Sequence, residues 1–347
     1  MYRRKLLLVI VFIVFVFGFY FLYLFNKTFF LDNTQFKNEV NYIYIEEGDN
    51  FESLCDQLSP YLNSVSDFEV AAKKKGYFDM VKPGKYALYK GSSNNEIINS
   101  LRSKNLTVMV IFNNQERLEN LAGRVSRQIA PDSITLLKVF RDRDFLNQNG
   151  FTIDNALSMY LPNTYQFFWN TSAVNFRDKM LKSYKNFWTE ARIKKANQIG
   201  LNPNNIISLA AVVQKESQKV DERPRVAGVY INRLNRKMKL QADPTVIYAL
   251  KLKYQNFDTL IKRVLYKDLK IKSPFNTYLH KGIPPGPITM PELSVIEAVL
   301  NYERHNFLYF VANPKKPGYH LFATNGRDHN RNKKVYTDWL NRNRVYR

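Results

Sequence analysis

The sequence predicts an α+β protein carried on one N-terminal transmembrane helix, with a small mixed lobe after the helix and then a larger, mainly helical domain. Three observations carry this reading. One long apolar run lies near the N-terminus, strand-like alternation and helical spacing interleave up to about residue 125, and helical spacing dominates after Ala173. The expected divisions are 1–5 as a cytoplasmic N-terminus, 6–25 as the transmembrane helix, 26–39 as a tether, 40–105 as the lobe and 106–347 as the helical domain.

The run from Leu6 to Phe25 is apolar apart from Gly18, Tyr20 and Tyr23. Its twenty residues, at about 1.5 Å each, span a hydrocarbon core of roughly 30 Å. A cleaved signal peptide is the alternative, but its apolar stretch is usually about 7 to 15 residues and ends at a small-residue cleavage site. Here Asn26, Lys27, Thr28, Phe29 and Phe30 follow instead. Arg3, Arg4 and Lys5 precede the run and only Lys27 comes soon after it, so the positive-inside rule places the N-terminus in the cytoplasm and the rest outside it. No other run is apolar enough to span.

Cys55 is the one cysteine, which excludes an internal disulfide and any cysteine-paired metal site. The net charge of +22 suits nucleic acid, an anionic membrane surface or an anionic polymer. Export argues against nucleic acid. The basic residues are scattered rather than blocked into arms, so a solvated surface with no partner is the plainer alternative.

Residues 26–39 are mixed and aperiodic, and read as a tether of at most about 45 Å at full stretch. Tyr42 to Ile45 reads as a strand, Gly48 as a turn, and Phe51, Leu54, Cys55 and Leu58 recur at helical spacing. A second helix covers Asp67 to Lys75. Pro83 and Gly84 turn the chain into a strand over Lys85 to Tyr89, and Asn95 to Leu101 is helical again. Val108, Val110 and Phe112 alternate as in a half-buried strand, followed by Leu118, Leu121, Ala122 and Val125 at helical spacing, a weak repeat of the first unit. Further on, Phe176, Met180, Tyr184, Phe187, Trp188 and Ala191 form one apolar stripe that ends before Gly200. Helices then cover about Asn205 to Val220, about Arg225 to Leu234, and a segment opened by Pro244.

Within Asn205 to Val220, Glu216 follows Leu209, Val212 and Val213 by seven, four and three residues, which puts it on the apolar face. Burial there raises a carboxyl pKa and leaves it protonated near neutrality, as a general acid requires. A helix-end Glu paired with Lys219 is the alternative. Asp243 before Pro244 suits a helix cap. Met238 to Ala242 alternates like a short strand, which turns Gln241 toward a cleft. Residues 273–288, SPFNTYLHKGIPPGPI, make a shaped loop in which Asn276 and Tyr278 offer the amide, hydroxyl and aromatic groups that hold sugars, although a purely structural loop has the same composition. His280, His305, His320 and His329 show no paired metal-ligand spacing, and no phosphate-binding glycine loop or Gly-x-Ser-x-Gly elbow occurs. No metal or cofactor is expected.

Four segments in order, LAAVVQKES at Leu209 to Ser217, VAGVYINRL at Val226 to Leu234, LQADPTVIYAL at Leu240 to Leu250 and the 273–288 loop, resemble the endolytic murein transglycosylase (YceG-like) family. The resemblance extends from about Tyr42 to the C-terminus, with LYFVA at Leu308 to Ala312, His320 and Phe322 fitting the closing segment. It implies a LysM-like first lobe, a YceG-like catalytic domain, peptidoglycan glycan strands as substrate, cell-wall synthases as candidate partners and a bacterial inner-membrane location. It also implies Glu216, in Val213-Gln214-Lys215-Glu216, as the catalytic acid and base; Gln241, Asn276, Tyr278 and Tyr165 are the expected substrate contacts. The family's reaction is a lyase reaction that needs one carboxyl: the acid protonates the bond between N-acetylmuramic acid and N-acetylglucosamine, then takes the proton of the muramoyl C6 hydroxyl to leave a 1,6-anhydro end. Ser158 and Met159 depart from the Glu-Gly that many members carry before the segment Tyr160 to Tyr165. A muramidase-type hydrolase using Asp243 or Glu222 as second carboxylate, and a non-catalytic wall-binding scaffold, are the alternatives.

Overall fold

A computed structural model describes residues 2–261 and 263–343. The chain is α+β, mostly helical, with three two-stranded sheets among the described residues. It divides into two compact units, the first made of residues 1–110, 128–131 and 165–172, the second of 111–127, 132–164 and 173–347. The first break lies near the expected one at 105, but two later stretches return to the first unit.

The first unit opens with helix α1 (Tyr2–Phe29), whose apolar side chains are exposed along its length and which is long and apolar enough to cross a membrane. Strand β1 (Val40–Ile45), helices α2 (Phe51–Leu58) and α3 (Val65–Lys74) and strand β2 (Gly84–Tyr89) follow in the expected order. The two strands pair antiparallel, Val40 opposite Tyr89 and Ile45 opposite Gly84. Asn50 and Ser53 form a reciprocal capping box on α2, and Ser93 with Glu96 does the same for α4 (Asn94–Ser103), so both helix starts are satisfied locally. The apolar faces of all these elements close on one core that includes Ile45, Leu54, Leu58, Phe68, Tyr77, Leu88 and Ile98.

The segment expected as a free tether is instead packed. Helix α1 continues to Phe29, whose ring joins the lobe core. Asn94 donates to the Thr28 carbonyl at 2.8 Å, one of the helix-end carbonyls that would otherwise lack a partner, and Lys27 pairs with Asp67 at 3.3 Å. Beyond the helix, Asn33 is only 5% exposed; its side-chain amide donates to the Ser64 carbonyl and the Asn94 side chain and accepts from the Ser64 amide, while Asp32 bridges to Ser93 and Thr34 to Leu62. A mixed composition and lack of periodicity suggested slack, but a buried amide with all its bonds made holds a chain as firmly as apolar packing does.

The chain passes between the units within β3 (Thr107–Phe112) and again near β4 (Asn163–Phe168). In the second unit, α5 (Leu118–Val125), α6 (Ser133–Phe140) and α7 (Arg143–Gln148) precede β4. The single stripe expected before Gly200 is two helices, α8 (Ala173–Phe187) and α9 (Glu190–Ile199), because Thr189 caps a new start and Gly200, at φ +81°, ends it. Helices α10 (Pro203–Glu216), α11 (Arg223–Asn235), α12 (Asp243–Tyr254) and α13 (Leu293–Leu300) then pack around a core of small and β-branched residues, Ala210, Ala211, Val212, Val226, Ala227 and Val299 among them. Gly228 on α11 lies against the Glu303 backbone and the His305 ring, a close approach that leaves no room for a Cβ. A hairpin of β5 (Tyr309–Ala312) and β6 (His320–Ala323), with Phe310 opposite Phe322, and helix α14 (Gly326–Arg342) complete the unit.

Candidate active site

Helix α10 runs from a capped start, with Asn202 accepting from Asn205 and Pro203 at its first position, through a buried stretch from Ile206 to Val213, and stops at Glu216. Glu216 therefore stands at the carbonyl end of a buried helix, where the macrodipole disfavours a negative charge. Its carboxyl opens into a cavity of about 350 Å³ walled by Tyr230 and Arg233 of α11, Gln241, Asp243 of α12, Tyr278 of the 273–288 loop and Phe310 of β5.

Burial pushes the Glu216 pKa up to about 7, and the nearby Asp243 charge adds to the rise. The Tyr230 hydroxyl, donating to Oε1 at 2.9 Å, and the Arg233 charge act in the opposite direction. Arg233 is itself buried and spends its donors on the carbonyls of Leu308 at 2.6 Å and Leu240 at 2.7 Å, so it stiffens the cavity wall without forming an ion pair among the described residues. The expected alternative for Glu216, a pair with Lys219, does not form, because the helix ends at Glu216 and Lys219 lies over the Tyr319 ring instead. The neighbouring residues are fixed as well. Gln214 accepts from the Glu292 amide at 2.7 Å, and Lys215 shares Glu116 with Lys251.

Asp243 is not the cap that its place before Pro244 suggests. Ala242 occupies the cap position, and the Asp243 carboxylate accepts the Tyr278 hydroxyl at 2.6 Å on the cavity wall. The strand expected over Met238 to Ala242 is also absent. The backbone there is held by side chains, Arg233 on the Leu240 carbonyl and Thr277 on the Ala242 amide, and Gln241 adopts a left-handed φ of +49° that no regular strand accepts. Gln241 nonetheless faces the cavity.

Asn276 has a different use from the expected sugar contact. It is 0% exposed, its amide donates to the carbonyls of Leu269 and Ile271 at 3.0 and 2.9 Å, and its oxygen accepts from the Tyr278 amide at 2.9 Å. Every polar atom is taken up in shaping the loop that presents Tyr278. Tyr165 lies in β4, within the first unit, and does not line this cavity. Glu222, one candidate for a second carboxylate, is buried and bound to His320 through both its oxygens, at 2.6 Å to the ring and 2.8 Å to the backbone amide.

Sequence reasoning passed over Tyr230, Arg233 and His329. Tyr230 and Arg233 are three apart on α11 and so share a face, a spacing visible in VAGVYINRL once Glu216 is suspected. His329 on α14 stacks on Tyr309 with ring centroids 5.0 Å apart, and burial with the positive charges of Lys333 and Arg233 lowers its pKa, which keeps the imidazole neutral. The cavity thus gathers one carboxyl poised between its two protonation states, one carboxylate held by a phenol, and polar and aromatic walls. That set can donate a proton to an ether-type oxygen and take one back.

A sequence model described as the YceG-like family matches residues 43–335. Similar chains include the endolytic murein transglycosylase of Bacillus subtilis, 29% identical over 320 residues covering 86% of this chain and 85% of that protein. The protein of the same name from Streptococcus pneumoniae is 28% identical over 298 residues covering 76% of this chain and 52% of its own length. Among solved structures, a YceG-like protein from Listeria monocytogenes aligns with a TM-score of 0.57 at 25% identity, over 85% of this chain and 99% of that one.

Proposed function

The chain belongs to the YceG-like family, and from that premise we propose that it is an endolytic peptidoglycan lytic transglycosylase, a lyase, with Glu216 as its acid and base. The observation that carries the reading is the Glu216 carboxyl at the end of α10, held by Tyr230 and raised to about 7, so that both its forms are populated at neutral pH. The protonated carboxyl gives its proton to the oxygen joining N-acetylmuramic acid to N-acetylglucosamine as the bond to C1 breaks. The carboxylate then accepts the proton of the muramoyl C6 hydroxyl as that oxygen closes on C1. The proton returns to Glu216 and no water is consumed. Asp243, fixed by Tyr278, supplies negative charge toward the positive character that develops at C1, and Gln241 and Tyr278 are proposed sugar contacts.

One observation favours a second reading. Asp243 lies close enough to Glu216 to raise its pKa, so a two-carboxylate hydrolase is chemically available. The mass of the products from purified sacculi decides between them. Anhydro-ended fragments support the transglycosylase, and fragments heavier by one water support the hydrolase.

Helix α1 is proposed as a single-pass anchor with Arg3, Arg4 and Lys5 on the cytoplasmic side and the chain after the helix outside. The packed junction from Lys27 to Thr34 replaces the free tether, which keeps the first unit at the bilayer surface. An enzyme anchored in this way is proposed to act on newly made strands at the membrane and to terminate their elongation. The strand, two-helix, strand order of the first unit is the LysM-like lobe of this reading.

A further inference from the structure

A second cavity, of about 500 Å³, opens in the same unit and is lined in part by Phe275 and Pro287 of the loop that carries Tyr278. Its walls are aromatic and charged together. Tyr248 of α12 packs on Phe275 at 4.8 Å and on Phe257 at 5.8 Å between ring centroids, forming a bent aromatic panel. The guanidinium of Arg117 sits 4.5 Å over the Phe257 ring, donates through Nε to Asn120 and lines the cavity. Arg117 forms no ion pair among the described residues, and neither does Asp154, which lines the same cavity. The remaining charges are satisfied, Glu119 by Arg141, and Glu116 by Lys215 and Lys251.

This cavity is coupled in space to the first. Asp243 opens α12 at the Glu216 cavity, and Tyr248 lies five residues further on, about 7.5 Å along the axis. Phe275 and Tyr278 come from one loop, one facing each cavity. Lys215, the neighbour of Glu216, holds Glu116 at the border of the second.

We infer that this second cavity binds a short peptide bearing both a carboxylate and an ammonium group, with Arg117 taking the carboxylate, Asp154 the ammonium, and the Tyr248 and Phe257 rings the backbone between them. Resting on the proposed function, the peptide is the one carried by the muramoyl lactyl group, and the separation along α12 suits a stem hanging from a sugar held at Glu216. A free carboxylate meeting a stacked, unpaired guanidinium forms a charge-assisted pair in a partly desolvated place.

The test is a calorimetric titration of the full-length protein in detergent with the soluble tetrapeptide Nα-acetyl-L-alanyl-γ-D-glutamyl-L-lysyl-D-alanine, whose blocked N-terminus leaves the lysine as its one ammonium and which requires no turnover. Saturable binding is expected, weakened about tenfold or more in Arg117→Gln. Asp154→Asn is expected to weaken binding of the free-lysine peptide while leaving the Nε-acetylated peptide at its own wild-type affinity. Absence of saturable binding at millimolar peptide, or equal binding by wild type and Arg117→Gln with matching melting temperatures, overturns the inference. Failure of the proposed function shows elsewhere, as a lack of anhydro-ended products, and the titration reads the peptide site in either case.

Discussion

Replacing Glu216 with Gln alters the pH dependence of stability in a way fixed by the carboxyl's surroundings. The folded protein holds the Glu216 proton more tightly than the unfolded chain does, so stability is unaffected at low pH and is lost as the group ionises. With an ordinary value of 4.5 and a folded value of about 7, the penalty is complete above pH 7 and amounts to about 3 kcal/mol. Gln has the same shape, still accepts from the Tyr230 hydroxyl and never ionises. Glu216→Gln should therefore match wild type near pH 4 and exceed it by about 3 kcal/mol at pH 8, or roughly 6 to 12 °C in melting temperature for a unit of this size. The assay is thermal unfolding of the full chain in detergent at both pH values, followed by fluorescence, to which Trp188, 5% exposed in the core of the second unit, contributes. A gap between variant and wild type that does not widen from pH 4 to pH 8 would refute the reasoning, because it would show that Glu216 ionises in the fold as easily as in water.

Other changes have equally definite directions. Tyr230→Phe removes a bond that favours the carboxylate, and Asp243→Asn removes a charge that disfavours it, so the alkaline limb of the pH–rate profile should move up in the first and down in the second. Movement of both in one direction would contradict the assignment. Asn276→Ala should lower stability by about 2 kcal/mol or more in thermal unfolding, because the Leu269 and Ile271 carbonyls lose their donor, and should raise KM because the loop that presents Tyr278 loses its brace. Gly286→Ala should yield little folded protein by circular dichroism, because a Cβ there meets the backbone carbonyl of Asp154, which cannot swing aside as a side chain would.

Much of this arrangement was legible in the chain. The apolar run of α1, the βααβ order of the first unit and the buried face that carries Glu216 all follow from periodicity, which records where apolar side chains must converge. The misread elements share a cause. Met238 to Ala242 alternates like a strand but has no partner strand, and its backbone is held by Arg233 and Thr277. Residues 26–39 are aperiodic yet fixed by the buried amides of Asn33 and Asn94, and Asn276 is polar yet turned inward to brace its own loop. Periodicity reports the burial of apolar groups and is silent on polar groups buried with their bonds made. Asp243 illustrates the same gap at the site. Its position before Pro244 fits a cap, and only the approach of Tyr278, 35 residues away, turns it to the cavity.

The central claim is that Glu216 alone moves the proton out and back, and its most direct measurement is the rate at which anhydro-ended fragments leave purified glycan strands in wild type and in Glu216→Gln. A neutral amide of the same shape keeps the cavity and loses the proton, so the variant should bind strands near normally and release product about a thousandfold more slowly or worse. Release of anhydro-ended fragments by Glu216→Gln at the wild-type rate would contradict the account.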